Sequence, residues 1–223
     1  MKRVSQLKRP DSLSKIAEET IRDRIVRGHF QLGEPLQDAK LSAELGISKT
    51  PIREALTALK LQGLVQIFPQ RGAFVFTLSQ ANVVQLCRYR SVLEKSALDL
   101  ALERDPKAFI ARLGDILAEM IIAREKDDFQ MYLDLDSEFH DAFFRHCGNE
   151  YLADGYKKVG DIVRTMRTYL SLRPHRTDKS FEEHENIVRL LESGQVDAAK
   201  AVLDIQIQRG EQAYADLSPK HDR

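Results

Sequence analysis

The sequence predicts a mainly α-helical protein in two parts. Residues 1–78 read as a winged helix-turn-helix, three helices followed by a hairpin. Residues 79–223 read as an all-α bundle of about six or seven helices. Three observations carry this. Turn-forming residues (Gly28, Gly33, Pro35, Gly46, Pro51, Gly63, Pro69, Gly72) crowd the first part, whereas long helical periods dominate after Leu78. The hydrophobic period shortens from 3.6 to 2 beyond Gly63 and lengthens again after Thr77. The formal net charge of zero, from 34 Lys/Arg and 34 Asp/Glu, also hides an asymmetry. Residues 1–78 hold 13 basic and 8 acidic side chains, net +5, and the remainder is net −5. Such a split suggests a polyanion-binding module joined to a domain with another task.

Composition excludes several classes. Cys87 and Cys147 lie sixty positions apart and make neither a disulfide framework nor a Cys-type zinc site, so a reducing cytoplasm is the expected compartment. No apolar run approaches the roughly 18 residues of a membrane span, and the N-terminus is basic without an apolar signal core. With 43% hydrophobic residues the chain is neither disordered nor collagenous.

In the first module, residues 12–27 place Leu13, Ile16, Ala17, Thr20, Ile21 and Ile25 on one helical stripe ended by Gly28. A turn through Gly33-Glu34-Pro35 leads to a short helix at about Asp38–Leu45, with Leu41 and Leu45 inward. Gly46-Ile47-Ser48 makes a tight turn. Ser48 is a good N-cap for a helix from Lys49 to about Gln62, and Pro51 falls in its first turn, where a missing N–H costs little. Ile52, Leu56, Leu59 and Leu64 form the buried stripe, leaving Lys49, Thr50, Arg53 and Thr57 outside. Val65–Ile67 and Phe74–Phe76 read as strands around Pro69-Gln70-Arg71-Gly72.

In this arrangement the later helix enters the DNA major groove N-terminus first. Lys49 and Arg53 lie one turn apart near that end. Arg binds guanine O6 and N7 bidentately, Thr50 suits phosphate or a base edge, and Arg71 at the wing tip reaches the minor groove or phosphates.

The run Leu45-Gly46-Ile47-Ser48-Lys49-Thr50-Pro51-Ile52-Arg53-Glu54-Ala55-Leu56, continued by Gly63-Leu64-Val65 and Gln70-Arg71-Gly72, resembles the DNA-binding domain of the GntR superfamily of bacterial transcription regulators. The resemblance implies DNA contacts from Ser48, Lys49, Thr50, Arg53, Arg71 and Gly72. Ala39 stands where the family often has an arginine.

From Ser79 six helices are expected, over 79–103, 107–126, 128–146, 149–171, 179–193 and 195–216. The second carries a core stripe at Phe109, Leu113, Ile116, Leu117, Met120 and Ile121. In the third, the stripe Phe129, Tyr132, Leu133, Phe143, Phe144 is interrupted by Asp136 and His140. Ionisable residues there are costly unless paired or bound to a cation. In the fifth, His184 interrupts Phe181, Ile187, Val188 and Leu191, and in the last Gln206 interrupts Ala199, Val202, Leu203 and Ala213. A carboxylate with two imidazoles suits Zn²⁺, Ni²⁺, Mn²⁺ or Fe²⁺; a metal-free polar pocket and a structural network are the other readings of the same residues. Arg90 faces inward with Leu86, Cys87 and Ala97, either to take a ligand carboxylate or to pair with Glu94 four residues on. Arg167, at the edge of the Tyr156, Val163, Leu170 face, is a second candidate.

Residues 79–216 also resemble the all-helical effector domain of the FadR branch, the FCD type, through Arg90-x-x-Leu93-Glu94, Asp136-x-x-x-His140, Gly148-Asn149-x-x-Leu152 and Glu183-His184. That resemblance implies a divalent metal (Zn, Ni or Mn) held by Asp136, His140, His184 and Gln206, the last a weaker oxygen ligand where the family has a histidine. It also implies a small carboxylate effector on or beside the metal. The expected protein is a ligand-responsive homodimeric regulator reading an inverted repeat in double-stranded DNA, with no membrane partner. A metal-dependent enzyme using Asp136, His140 and His184 is the rival; no nucleophile–base pair is discernible. A constitutive dimeric DNA binder is the third reading.

Overall fold

A computed structural model describes residues 12–171 and 176–215. Its contacts divide the chain into two compact units, Met1–Thr77 and Leu78–Arg223.

In the first unit, α1 (Leu13–Val26), β1 (Pro35–Leu36), α2 (Asp38–Leu45), α3 (Lys49–Leu61), β2 (Val65–Phe68) and β3 (Gly72–Val75) follow in order. Ser12 caps α1, its hydroxyl accepting from the Lys15 amide at 3.2 Å. The core is Ala17, Ile21 and Ile25 of α1 against Leu41, Ile52, Leu56 and Leu59. The stripe predicted for α1 holds only from Ala17 onward. Leu13 and Ile16 are exposed, because the edge of the packed face is set by Glu18, whose buried carboxylate is satisfied by Lys15, Arg22 and Gln62. Gly46 ends α2 in the left-handed region (φ 67°), and the Ser42 hydroxyl donates to the Ile47 carbonyl at 2.6 Å across the turn. Ser48 occupies the N-cap of α3 in extended conformation, but its hydroxyl makes no capping bond.

The hairpin pairs Val65 with Val75 and Phe68 with Gly72, both strands antiparallel. Phe76 lies beyond β3, its amide donating to the Leu64 carbonyl at 3.0 Å. The sequence gives no sign of β1, where a turn is expected. Two residues are too few to show an alternation. The pairing arises because the Val75 amide donates to Glu34 and the Gly33 amide to Val75, which gives a sheet of order β1-β3-β2.

The second unit contains α4 (Gln80–Arg104), α5 (Pro106–Glu125), α6 (Phe129–His146), α7 (Glu150–Ser171), α8 (Arg176–Glu192) and α9 (Val196–Ala215). These match the six expected helices closely at their ends; residue 216 lies outside the described residues. Ser79, Asp105 and Asp128 cap α4, α5 and α6 through their side chains. Phe109, Leu113, Ile116, Met120 and Ala123 of α5 alternate steps of four and three, a narrow seam buried against α6. That narrowness explains why Leu117 is only half-buried and Ile121 is exposed, against expectation. Phe129, in the first turn of α6, is exposed as well. Edge-on contacts of Phe143 with Phe109 and Phe139 fill the centre.

Candidate functional site

In the first unit, Ser48, Lys49, Thr50 and Arg53 stand exposed along the N-terminal half of α3. Arg53 donates from Nε to Asp38 Oδ2 at 2.6 Å, so a carboxylate at the start of α2 orients this guanidinium while its side chain stays 69% exposed. At the wing, the Arg71 guanidinium carbon lies 5.5 Å and 5.9 Å from the centroids of Phe68 and Phe74. The turn beneath it puts Gln70 (φ 61°) and Gly72 (φ 96°) in the left-handed region, which glycine adopts without penalty. The result is an exposed cationic face of fixed geometry, of the kind that meets phosphates and base edges.

In the second unit, α6, α8 and α9 send polar groups to one interior from their interrupted stripes, and α4 and α7 add Arg90, Glu94 and Arg167. The centre is Asp136, His140 and His184, all buried, whose ligand atoms lie within 4.8 Å of one another. His140 and His184 approach through their Nε2 atoms at 3.4 Å, and His184 Nε2 is 3.7 Å from Asp136 Oδ1. Ser180, in the second turn of α8, donates to Asp136 Oδ1 at 3.0 Å. His140 Nδ1 lies 2.8 Å from Glu94 Oε2; the carboxylate accepts its proton and leaves Nε2 as the lone-pair nitrogen.

Glu94 is wholly buried between cations: Arg90 donates to Oε1, and Arg167 Nη2 is 3.7 Å from it. Arg167 also lies 3.5 Å from Asp136 Oδ2 and donates to the Tyr156 hydroxyl at 3.1 Å. Desolvation alone would raise both carboxyls. Arg90, with the His140 N–H, overrides it at Glu94, and Arg167, with the Ser180 hydroxyl, overrides it at Asp136, so both are held below their usual range. Burial lowers His140, and pushes His184 down to about 3. At neutral pH the site therefore holds two carboxylates, two guanidinium groups and two uncharged imidazoles.

Several of these side chains border a cavity of about 60 Å³. At roughly 10–15 Å³ per water it has room for several waters or a small molecule. Arg90, Asp136, His140, Arg167, Ser180 and Gln206 all line it. The structure thus brings Asp136, His140, His184, Gln206, Arg90 and Arg167 to one place. Arg90 is occupied by Glu94 and lies 3.3 Å from His140 Nδ1. The sequence offers Glu94 only as a neighbour of Arg90. Its bridging role, and those of Ser180 and Tyr156, needs three-dimensional placement that periodicity does not supply.

Residues 13–75 match the family described as bacterial regulatory proteins, gntR family, and residues 85–209 match the FCD domain. The chain belongs to the GntR family. It is 32% identical over 181 residues to the Nta operon transcriptional regulator of Aminobacter aminovorans, covering 81% of this chain and 84% of that protein. It is 24% identical over 173 residues to the gluconate operon transcriptional repressor of Bacillus subtilis (strain 168), covering 78% and 69%. Its fold is shared with a GntR regulator from Rhodococcus sp. RHA1, at a TM-score of 0.80 and 20% identity over 94% of this chain and all of that one. This GntR-family protein is a DNA-binding transcription regulator with an FCD effector domain, as the sequence predicts, and its relatives are regulators rather than enzymes. No helix among its described residues is long and apolar enough to cross a membrane.

Proposed function

We propose that the protein is a cytoplasmic homodimeric repressor that reads an inverted repeat through Ser48, Lys49, Thr50, Arg53, Arg71 and Gly72, and releases or retains it according to a small carboxylate effector bound in the C-terminal cavity. The observation that carries the effector reading is the cluster of Asp136, His140 and His184, the first two of which line a cavity that Arg90 and Arg167 also border.

The donor set fits a divalent ion. Both imidazoles are uncharged, Asp136 is ionised, and Glu94 orients His140 as ligand-bound histidines require. Two nitrogens at about 2.0–2.1 Å from one tetrahedral ion stand about 3.4 Å apart, the spacing found between the two Nε2 atoms. Asp136, His140 and His184 would hold Zn²⁺, Ni²⁺ or Mn²⁺, which supplies a Lewis-acidic positive centre for an organic acid. Arg167 adds a fixed cation beside it, and the apolar side chains of Val163, Met166 and Leu170 exclude water from the same wall. A relative named for a gluconate operon accords with an organic acid.

Metal content per chain, measured on protein purified without chelator, is expected near one and lost in His140→Ala; an equal content in both would remove these ligands from consideration. Arg53→Ala is expected to weaken operator binding and relax base choice in a binding-selection assay. An unchanged site preference would refute its base-reading role.

A further inference from the structure

Resting on that effector reading, we propose that the cavity selects a small carboxylate that also presents an uncharged hydrogen-bonding edge, a donor beside an acceptor, and that Gln206 is the residue that reads this edge. Gln206 is 8% exposed and lines the cavity, yet both its Oε1 and its Nε2 are buried without a hydrogen-bond partner among the described residues. Buried polar atoms are paired in the great majority of cases, and a primary amide offers an acceptor and two donors side by side. A cation at the neighbouring cluster could engage only the oxygen and would leave the amide nitrogen orphaned. A partner that satisfies both atoms must bring its own donor and acceptor in adjacent positions.

The charge of the ligand is met elsewhere. Arg167 is nearly buried, and among the described residues its Nε and Nη1 also have no hydrogen-bond partner, Nη1 making there the 3.5 Å ion pair with Asp136. A guanidinium with unused donors suits a carboxylate. The cavity thus carries two kinds of reader, a guanidinium and a neutral amide; Arg90 and Arg209, which also line it, are already paired with Glu94 and Glu183, so a second carboxylate opposite Gln206 would be desolvated without a free counter-charge. Vicinal hydroxyls and a carboxamide both supply the required neutral edge, and the small cavity limits the carbon skeleton to a few atoms.

Titration calorimetry on the full-length protein, as purified without chelator, tests this with four acids: glycerate (vicinal hydroxyls), succinamate (carboxamide), butyrate (no second polar group) and succinate (second charge). At least one of the first two is expected to bind tenfold or more tightly than the last two. Gln206→Leu is expected to abolish that advantage, leaving butyrate within threefold and metal content unchanged; Gln206→Met serves if the leucine variant does not fold. Butyrate or succinate binding as well as both neutral-edge acids would overturn the assignment, as would binding by none of the four. Loss of metal in place of selectivity in Gln206→Leu would put the amide on the ion and overturn it too. Operator binding of the same samples, followed by fluorescence anisotropy, fails only if the regulator reading itself is wrong.

Discussion

Glu94 is the side chain on which the interior of the effector domain depends most. It is fully buried, accepts from Arg90, orients His140 and faces Arg167. Removing one partner of a buried ion pair leaves an uncompensated charge, at a cost of roughly 3–5 kcal/mol. Glu94→Ala is therefore expected to lower the stability of the C-terminal unit by that amount in denaturant titration. The double replacement Arg90→Met/Glu94→Leu is expected to recover most of it. A loss below about 1 kcal/mol in the single variant would mean that water already reaches the carboxylate. His140 also depends on Glu94, so the single variant should weaken metal binding even where the fold survives.

At the scale of elements, the turn between α2 and α3 rests on Gly46. Its φ of 67° is unfavourable for any residue with a Cβ, although an added Cβ would meet nothing within 4 Å. Gly46→Ala should then cost about 1–2 kcal/mol from backbone conformation alone, read as a lower melting temperature of the N-terminal unit. A neutral effect would show that the turn can relax. Elements were legible wherever burial has a regular period: the buried seams of α4 to α9 emerge from spacing, and so does the interruption of α6, α8 and α9 by Asp136, His140, His184 and Gln206. The same logic misplaces Leu13, Ile16, Ile121 and Phe129, because period alone does not say how wide the buried stripe is or where a helix outruns its neighbours. Strand β1 was invisible because its two residues are recruited by β3 and carry no pattern of their own. The bonds from Ser180 to Asp136 and from Arg167 to Tyr156 left no trace, since each joins helices whose relative rotation the sequence does not state.

For the whole molecule, the titration of the effector core sets an acid limit. His184 is held far below the ordinary imidazole value of 6.5, at about 3, so the unfolded chain binds a proton that the folded one refuses between those values. Stability is complete above about pH 6.5 and falls as pH drops toward 3. The depressed carboxyls Glu94 and Asp136 act in the same sense below their ordinary values of 4.5 and 3.8. Chelator-treated protein is expected to show a melting temperature that declines steadily from pH 7 to pH 4, and replacing His184 by Asn should flatten the upper part of that slope. A flat profile in the parent protein would mean that His184 is not buried in its uncharged form.

The approach of His140 to His184 joins two positions 44 residues apart. A covalent link over that separation would remove about 4 kcal/mol of unfolded-chain entropy, and any occupant gripping both imidazoles acts as a detachable version of that link. Filling the ion site should then slow amide hydrogen exchange throughout α8, and emptying it should let α8 open before the α5–α6 pair does. In such a molecule the presence of the bound ion would be recorded as the lifetime of one helix.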